Sequence, residues 1–300
     1  MSLPNKSVIC DKLNQTKHPN TKTIQRDLFS SIDAQNEYWL YSDLHNLYDN
    51  YFPITCDTKS FVQDSLIIPS DTKLSQTDFY NQHVVTIKHD YNIHDKIFHN
   101  ETDLKLSRYA CWCMTLPHPA LMFSRTYFMA PLITNTPTFE NIYKQSYQFA
   151  RIPLRNQLRI LETQLAGILQ KLGTDYKRFK HDVTQILFNG YTSTEIKNIY
   201  CIPKKSNDPI SNYMGAASLN TKIRALRTTI KRFDMSRTKN LQTLTQILTD
   251  EIIASRRQTY CASKHTPEDD IFTTPISAIE KKLKEIEKQF IQNYSHQSIR

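Results

Sequence analysis

The stretch Ser218-Leu-Asn-Thr-Lys-Ile-Arg-Ala-Leu-Arg-Thr-Thr-Ile-Lys-Arg-Phe233 decides what the second half of this chain is. On a helical wheel, Leu219, Ile223, Leu226, Ile230 and Phe233 fall within one arc of about 80°. Arg224, Arg227, Lys231 and Arg232 fall outside that arc, and Lys222 sits at its margin. Such a helix buries one face in a helical core and turns guanidinium and ammonium groups to solvent. An outer face this cationic, with Asp234 only at its end, is costly unless it is solvated or meets an anion.

The flanking sequence repeats the helical pattern. Between Pro153 and Leu172, Leu154, Leu158, Leu161, Leu165, Ile168, Leu169 and Leu172 recur at steps suited to one buried stripe. Arg151, Arg155 and Arg159 fall on the other sides. Phe139 to Ala150 predicts a helix just before it, with little break. Thr192-Ser-Thr-Glu195 is a capping box opening a short helix that Pro203 ends. Leu241 to Arg257 predicts another amphipathic helix. Ile279, Leu283, Ile286 and Phe290 form the seam of a closing helix after an acidic linker over 266–275.

The first half reads differently. Residues 1–22 are polar and predict a loose tail. Residues 24–40 suggest a short hairpin turning at Asp33-Ala-Gln-Asn36. Ser42 looks like the N-cap of a helix carrying Leu44, Leu47, Tyr48 and Tyr51 on one face, stopped before Pro53. The stretch from 52 to 78 is turn-rich and ambiguous. His83-Val-Val-Thr-Ile-Lys88 is the clearest strand, with a loop through about residue 103 after it. Leu104 to Met114 is mostly helical by composition and ends at Pro117-His-Pro119. The expectation is an α+β chain: a small mixed module over 23–150, a basic helical region over 151–264, and an acidic linker with a C-terminal helix over 265–300.

Charge separates the same regions. Residues 151–264 hold 20 Lys+Arg against 8 Asp+Glu, a balance of +12, while residues 1–100 hold 9 against 12. A localised positive field attracts a polyanion better than the same charge spread evenly. All four glycines (167, 173, 190, 215) lie in the basic region. No Gly-rich phosphate loop or dinucleotide fingerprint exists, which excludes the commonest nucleotide-dependent enzymes by motif. The six cysteines are scattered without paired spacing and read as free thiols. No apolar window is long enough to span a membrane, and the polar N-terminus lacks a secretory pattern, so the expected location is cytoplasmic.

Specific blocks stand against this background: Leu106-Ser-Arg-Tyr-Ala-Cys-Trp112, Thr126-Tyr-Phe-Met-Ala130, Pro153-Leu-Arg-Asn-Gln157, Leu187-Phe-Asn-Gly-Tyr-Thr192 and Asn212-Tyr-Met-Gly-Ala216. In this order and spacing they resemble the bacterial DNA-damage-inducible protein D family, over about residues 24–290. The resemblance implies a BRO-N-like, antirepressor-type N-terminal module joined to a helical C-terminal part. It implies a role in the SOS response, with modulation of the recombinase filament on single-stranded DNA. The chain departs from the family at Leu47-Tyr-Asp-Asn-Tyr51, where members tend to have a Leu-Gly-Tyr turn.

Other constellations read more simply as structure. Ser107-Arg108-Tyr109 has no general base tied to it by sequence, and a helix start packing Tyr109 and Trp112 inward accounts for it. Cys111 and Cys113 stand at i and i+2, which point apart on a helix, so with His118 they make a poor zinc set. Tyr38, Tyr41, Tyr48 and Tyr51 could stack on bases, but at helical spacing Leu44, Tyr48 and Tyr51 fit a core. The expectation is therefore a non-catalytic protein without cofactor that binds DNA or a recombinase filament. The DNA contacts would come from Arg151, Arg155, Arg159, Lys204, Lys205, Lys222, Arg224, Arg227, Lys231 and Arg232. The rival expectations are an antirepressor-like protein–protein regulator, marked by an exposed apolar patch near 104–130, and a hydrolase with clustered His, Asp or Glu.

Overall fold

The computed structural model describes residues 38–53, 58–93, 96–134, 138–203, 208–260 and 270–298, apart from the side chains of Arg178 and Tyr260. The expected tail over 1–22, the first strand of the expected hairpin, Lys204, Lys205 and the first part of the acidic linker lie outside the described residues. The chain is α+β, with a three-stranded antiparallel sheet near the N-terminal end of the described residues and helices after it. Two compact units form: residues up to 146 together with those from 284 onward, and residues 147–283.

In the first unit, β1 (Trp39–Leu40) runs into α1 (Tyr41–Leu47). It is followed by α2 (Thr58–Ser65) and α3 (Gln76–His83). Strands β2 (Val84–Ile93) and β3 (Lys96–Leu106) form a long antiparallel ribbon. The sheet order is β1-β3-β2, with Trp39 and Val84 both opposite Leu106. Helices α4 (Arg108–Thr115), α5 (Met122–Phe128) and α6 (Ala130–Ile133) then complete it, with a 3-10 turn at Pro119–Leu121 before α5.

Three expectations change here. The loop expected up to about residue 103 is strand β3, and Leu104 to Leu106 belong to it and not to a helix. From Lys96 to Thr102 strand β3 is exposed or half-buried at every position, so no inside face imprints an alternating pattern on it. Ser42 does not cap α1; it lies within the helix. The buried Asp103 carboxylate, brought by β3, accepts from the Ser42 hydroxyl at 2.6 Å and from its backbone N–H at 3.2 Å. A distant side chain thus supplies the anion that a helix start favours. The ambiguous stretch after residue 57 contains α2 and the first turn of α3, capped by Ser75, whose hydroxyl accepts from Asp78 N–H at 3.1 Å.

All eight residues of α4 are buried. Ser107 caps it, accepting from Ala110 N–H at 3.0 Å. Trp39 meets Phe128 edge-on at 5.2 Å, and Trp112 lies 5.1 Å from Phe290. Tyr41 is buried, with its hydroxyl donating to Pro53 O at 2.7 Å.

From residue 139 onward the named elements are all helical. Phe139–Lys171 is one helix, α7, where two were expected. Pro153 lies inside it without breaking it, because Phe149, Ile152, Leu158, Leu161, Leu165 and Leu169 stay buried in phase on both sides. An unexpected helix, α8 (Tyr176–Leu187), buries Phe179, Val183 and Leu187. The capping box opens α9 (Ser193–Ile199). A 3-10 turn, Ile210–Asn212, leads to α10 (Ala216–Met235), which pairs with α11 (Leu241–Tyr260); α12 (Ile276–Tyr294) closes the chain. The α10 phase follows the sequence: Leu219, Ile223, Leu226 and Phe233 are buried. So are Ile279, Leu283, Ile286 and Phe290 along α12.

Candidate nucleic-acid interface

Of the ten cations expected to meet DNA, the eight among the described residues do not share one surface. Arg151 is fully buried and corrects that expectation outright. Its guanidinium donates to the carbonyls of Met214 at 2.9 Å, Asn212 at 3.1 Å and Thr274 at 3.4 Å, and to Gln148 Oε1 at 2.7 Å. It also lies over the Phe272 ring at 4.4 Å. Burial lowers its pKa to about 10, against the opposing pull of Asp270 and Tyr147. Arg151 therefore ties the backbone before α10 to the segment after residue 270. The Asn212-Tyr-Met-Gly-Ala216 block belongs to the same joint. Met214 bridges Ile271, and the Asp270 carboxylate accepts from Ser218 N–H at 2.7 Å and the Tyr147 hydroxyl at 3.0 Å. A Cβ at Gly215 would overlap that carboxylate, which is why the position holds glycine.

Lys222 is the second correction. It is buried at 3% exposure with its ammonium 2.8 Å from Glu162 Oε1. Its place at the margin of the α10 arc let either face claim it, and the Glu162 carboxylate on α7 decided. Arg155 is half-buried, donating to Asn212 Oδ1 at 2.8 Å and to Glu162 Oε2 at 3.3 Å. Three cations act on Glu162: Lys222, Lys180 of α8 and Arg155. Their field outweighs burial and holds its carboxyl below the usual range, although burial alone raises it. Lys180 and Tyr176, one helical turn apart on α8, complete this cluster and were not singled out from the sequence. The Asp175 N-cap, accepting from Lys177 N–H at 2.8 Å, was the local signal for that helix.

The outer face of α10 is what remains. Arg224, Arg227, Lys231 and Arg232 are all exposed. Arg224 donates to the neutral Gln258 of α11 at 2.6 Å, and Arg232 pairs with Glu251. Arg227 and Lys231 meet no carboxylate within ion-pair distance among the described residues. Arg237 and Arg257 are also exposed. The hairpin end is fixed: Lys239 donates to the last α10 carbonyls, and Asn240 Oδ1 accepts from Thr243 N–H at 2.8 Å. Arg159 is exposed on α7, apart from this stripe.

Ser107 does have a histidine beside it, supplied by the strand entry and not by its own helix. His83 Nδ1 is 2.9 Å from Ser107 Oγ, and Nε2 is 2.9 Å from the Ser295 carbonyl. A carbonyl only accepts, so Nε2 carries the proton and Nδ1 accepts from the serine. The His83 ring is fully buried, and burial lowers its pKa to about 4. Arg108 donates to the carbonyls of Phe128 at 2.9 Å and Tyr127 at 3.3 Å. The block is thus a packed helix start. Burial pushes the Cys111 thiol up and the Cys113 thiol up to about 12, so both stay protonated. Among the described residues no three His, Cys, Asp or Glu side chains gather as a metal site, and no helix is long and apolar enough to cross a membrane.

No protein-family model matches the chain, and no curated protein or solved structure matches it.

Proposed function

We propose that the chain is a non-catalytic cytoplasmic protein that binds DNA through phosphate contacts along the outer face of α10. The observation that carries this reading is the stripe Arg224, Arg227 and Lys231, exposed and without a carboxylate partner among the described residues. Phosphate contacts of this kind give affinity without sequence choice. The sequence resemblance to the DNA-damage-inducible protein D family supports reading such binding as part of the SOS response, on DNA or on a recombinase filament. The antirepressor-like alternative called for an exposed apolar patch near 104–130. Among the described residues of the first unit, the large apolar side chains most exposed are instead Ile67, Ile68, Leu74 and Ile97, none within that range.

Replacing Arg224, Arg227, Lys231 and Arg232 together by Gln tests the proposal. Each lost phosphate contact removes about 0.7 to 0.9 from the slope of log affinity against log salt, so the loss of all four should lower the slope by roughly 3 to 4. The loss must be similar across unrelated sequences. Unchanged affinity and slope in a variant with wild-type circular dichroism would end the role of α10 and favour a protein partner.

A further inference from the structure

We propose a second, discrete binding site in the helical unit: a phosphate-monoester site over Glu162, formed by Arg155 and Arg159 of α7 with Tyr176 and Lys180 of α8. It goes beyond the reading of α10. Lys222, whose ammonium pairs with Glu162 in this cluster, is on the opposite side of α10 from Arg224, Arg227 and Lys231.

The charge count is the first argument. Arg155, Lys180 and Lys222 act on one carboxylate, Glu162, leaving two positive charges in excess at partly or fully buried positions. Arg159 falls on the same face of α7 as Arg155 and Glu162, at its exposed rim. Like charges held together away from water are unfavourable until an anion joins them. Burial, Lys222 and Arg155 all push the Lys180 ammonium down, and only Glu162 opposes them. A dianion restores the balance.

The donors are the second argument. Lys222 is spent on Glu162, and Arg155 commits two of its five N–H groups, to Asn212 and Glu162. The Lys180 ammonium and the Tyr176 hydroxyl make no hydrogen bond or ion pair among the described residues. Yet both are half-buried and lie within the field of Glu162 and Arg155. Both oxygens of Glu162, the cluster's carboxylate, are already occupied. What the site offers outward is an array of donors: ammonium, guanidinium N–H and phenol. A phosphate monoester, all acceptors and nearly doubly charged at neutral pH, is the complementary group.

Titration of the full chain with inorganic phosphate, followed by calorimetry at constant ionic strength against chloride, tests the site. The wild type should bind phosphate. Lys180→Met should weaken it by about tenfold or more, the loss expected for charged hydrogen bonds, and Lys180→Arg should retain it. Tyr176→Phe gives a milder loss without touching charge. The α10 quadruple variant should bind phosphate normally, so failure here and failure of the DNA reading are separable. Displacement by a 5′-phosphorylated but not a 5′-hydroxyl oligonucleotide assigns the site to nucleic-acid ends; displacement by neither assigns it to a free phosphorylated small molecule. No phosphate binding, equal binding by folded wild type and Lys180→Met, or equal displacement by the 5′-hydroxyl strand would overturn the proposal.

Discussion

His83 makes the first unit acid-sensitive, and the size of the effect follows from its surroundings. The ring is fully buried between Phe79 and Tyr109, with both nitrogens hydrogen-bonded and no carboxylate among the groups that shift it. Burial is the main cause of its lowering from 6.5 to about 4, with nearby His296 adding to it and the Ser295 carbonyl opposing. The unfolded chain therefore takes up the proton first as pH falls. The contribution is fully present above pH 6.5 and is lost on descending towards pH 4. A shift from 6.5 to 4 corresponds to about 3 kcal/mol in all, and the loss at pH 5 is about 2 kcal/mol. The comparison is with His83→Gln, whose amide can donate to Ser295 O and accept from Ser107 without titrating. Urea unfolding of both proteins at pH 7.5, 6 and 5 should show the wild-type advantage shrinking by about 2 kcal/mol by pH 5. Other titrating groups are common to both proteins and cancel. A stability difference that stays constant with pH would refute the buried neutral imidazole.

Leu226→Asp places an unpaired carboxylate at a position 1% exposed and should cost more than about 3 kcal/mol, whereas Arg227→Ala should change stability by less than about 0.5 kcal/mol; equal melting of both variants would show the α10 phase to be wrong. Gly215→Ala should cost about 1 to 3 kcal/mol through overlap with Asp270, and much of that cost should vanish in an Asp270→Ala background, as a double-mutant cycle would read. Arg151→Met leaves the carbonyls of Asn212, Met214 and Thr274 without their donor and should cost about 2 to 4 kcal/mol in denaturant unfolding, while DNA affinity of the folded protein stays unchanged. A fall in affinity with unchanged stability would return Arg151 to the surface.

What the sequence by itself determined is what depends on neighbours within two helical turns. The buried faces of α10 and α12 repeat at helical period, so Leu219, Ile223, Leu226 and Phe233, and then Ile279 to Phe290, could be assigned inward from spacing alone. The capping box at Thr192 is equally local. Tertiary structure decided the rest, because the deciding partner is far along the chain. Ser42 reads as a cap until Asp103 arrives from 61 residues away. The second strand of the ribbon shows no alternation because most of it has no inner face. The basic region illustrates the same limit for function. Its +12 balance is plain in the sequence, but charge is counted without direction. Arg151 and Lys222 turn inward because backbone carbonyls and Glu162 are there to receive them, while Arg227 and Lys231 stay in solvent because nothing acidic among the described residues meets them. Whether a cation at the edge of an apolar arc points in or out is settled by the energy of leaving it buried without a counter-charge, and only the fold supplies that partner.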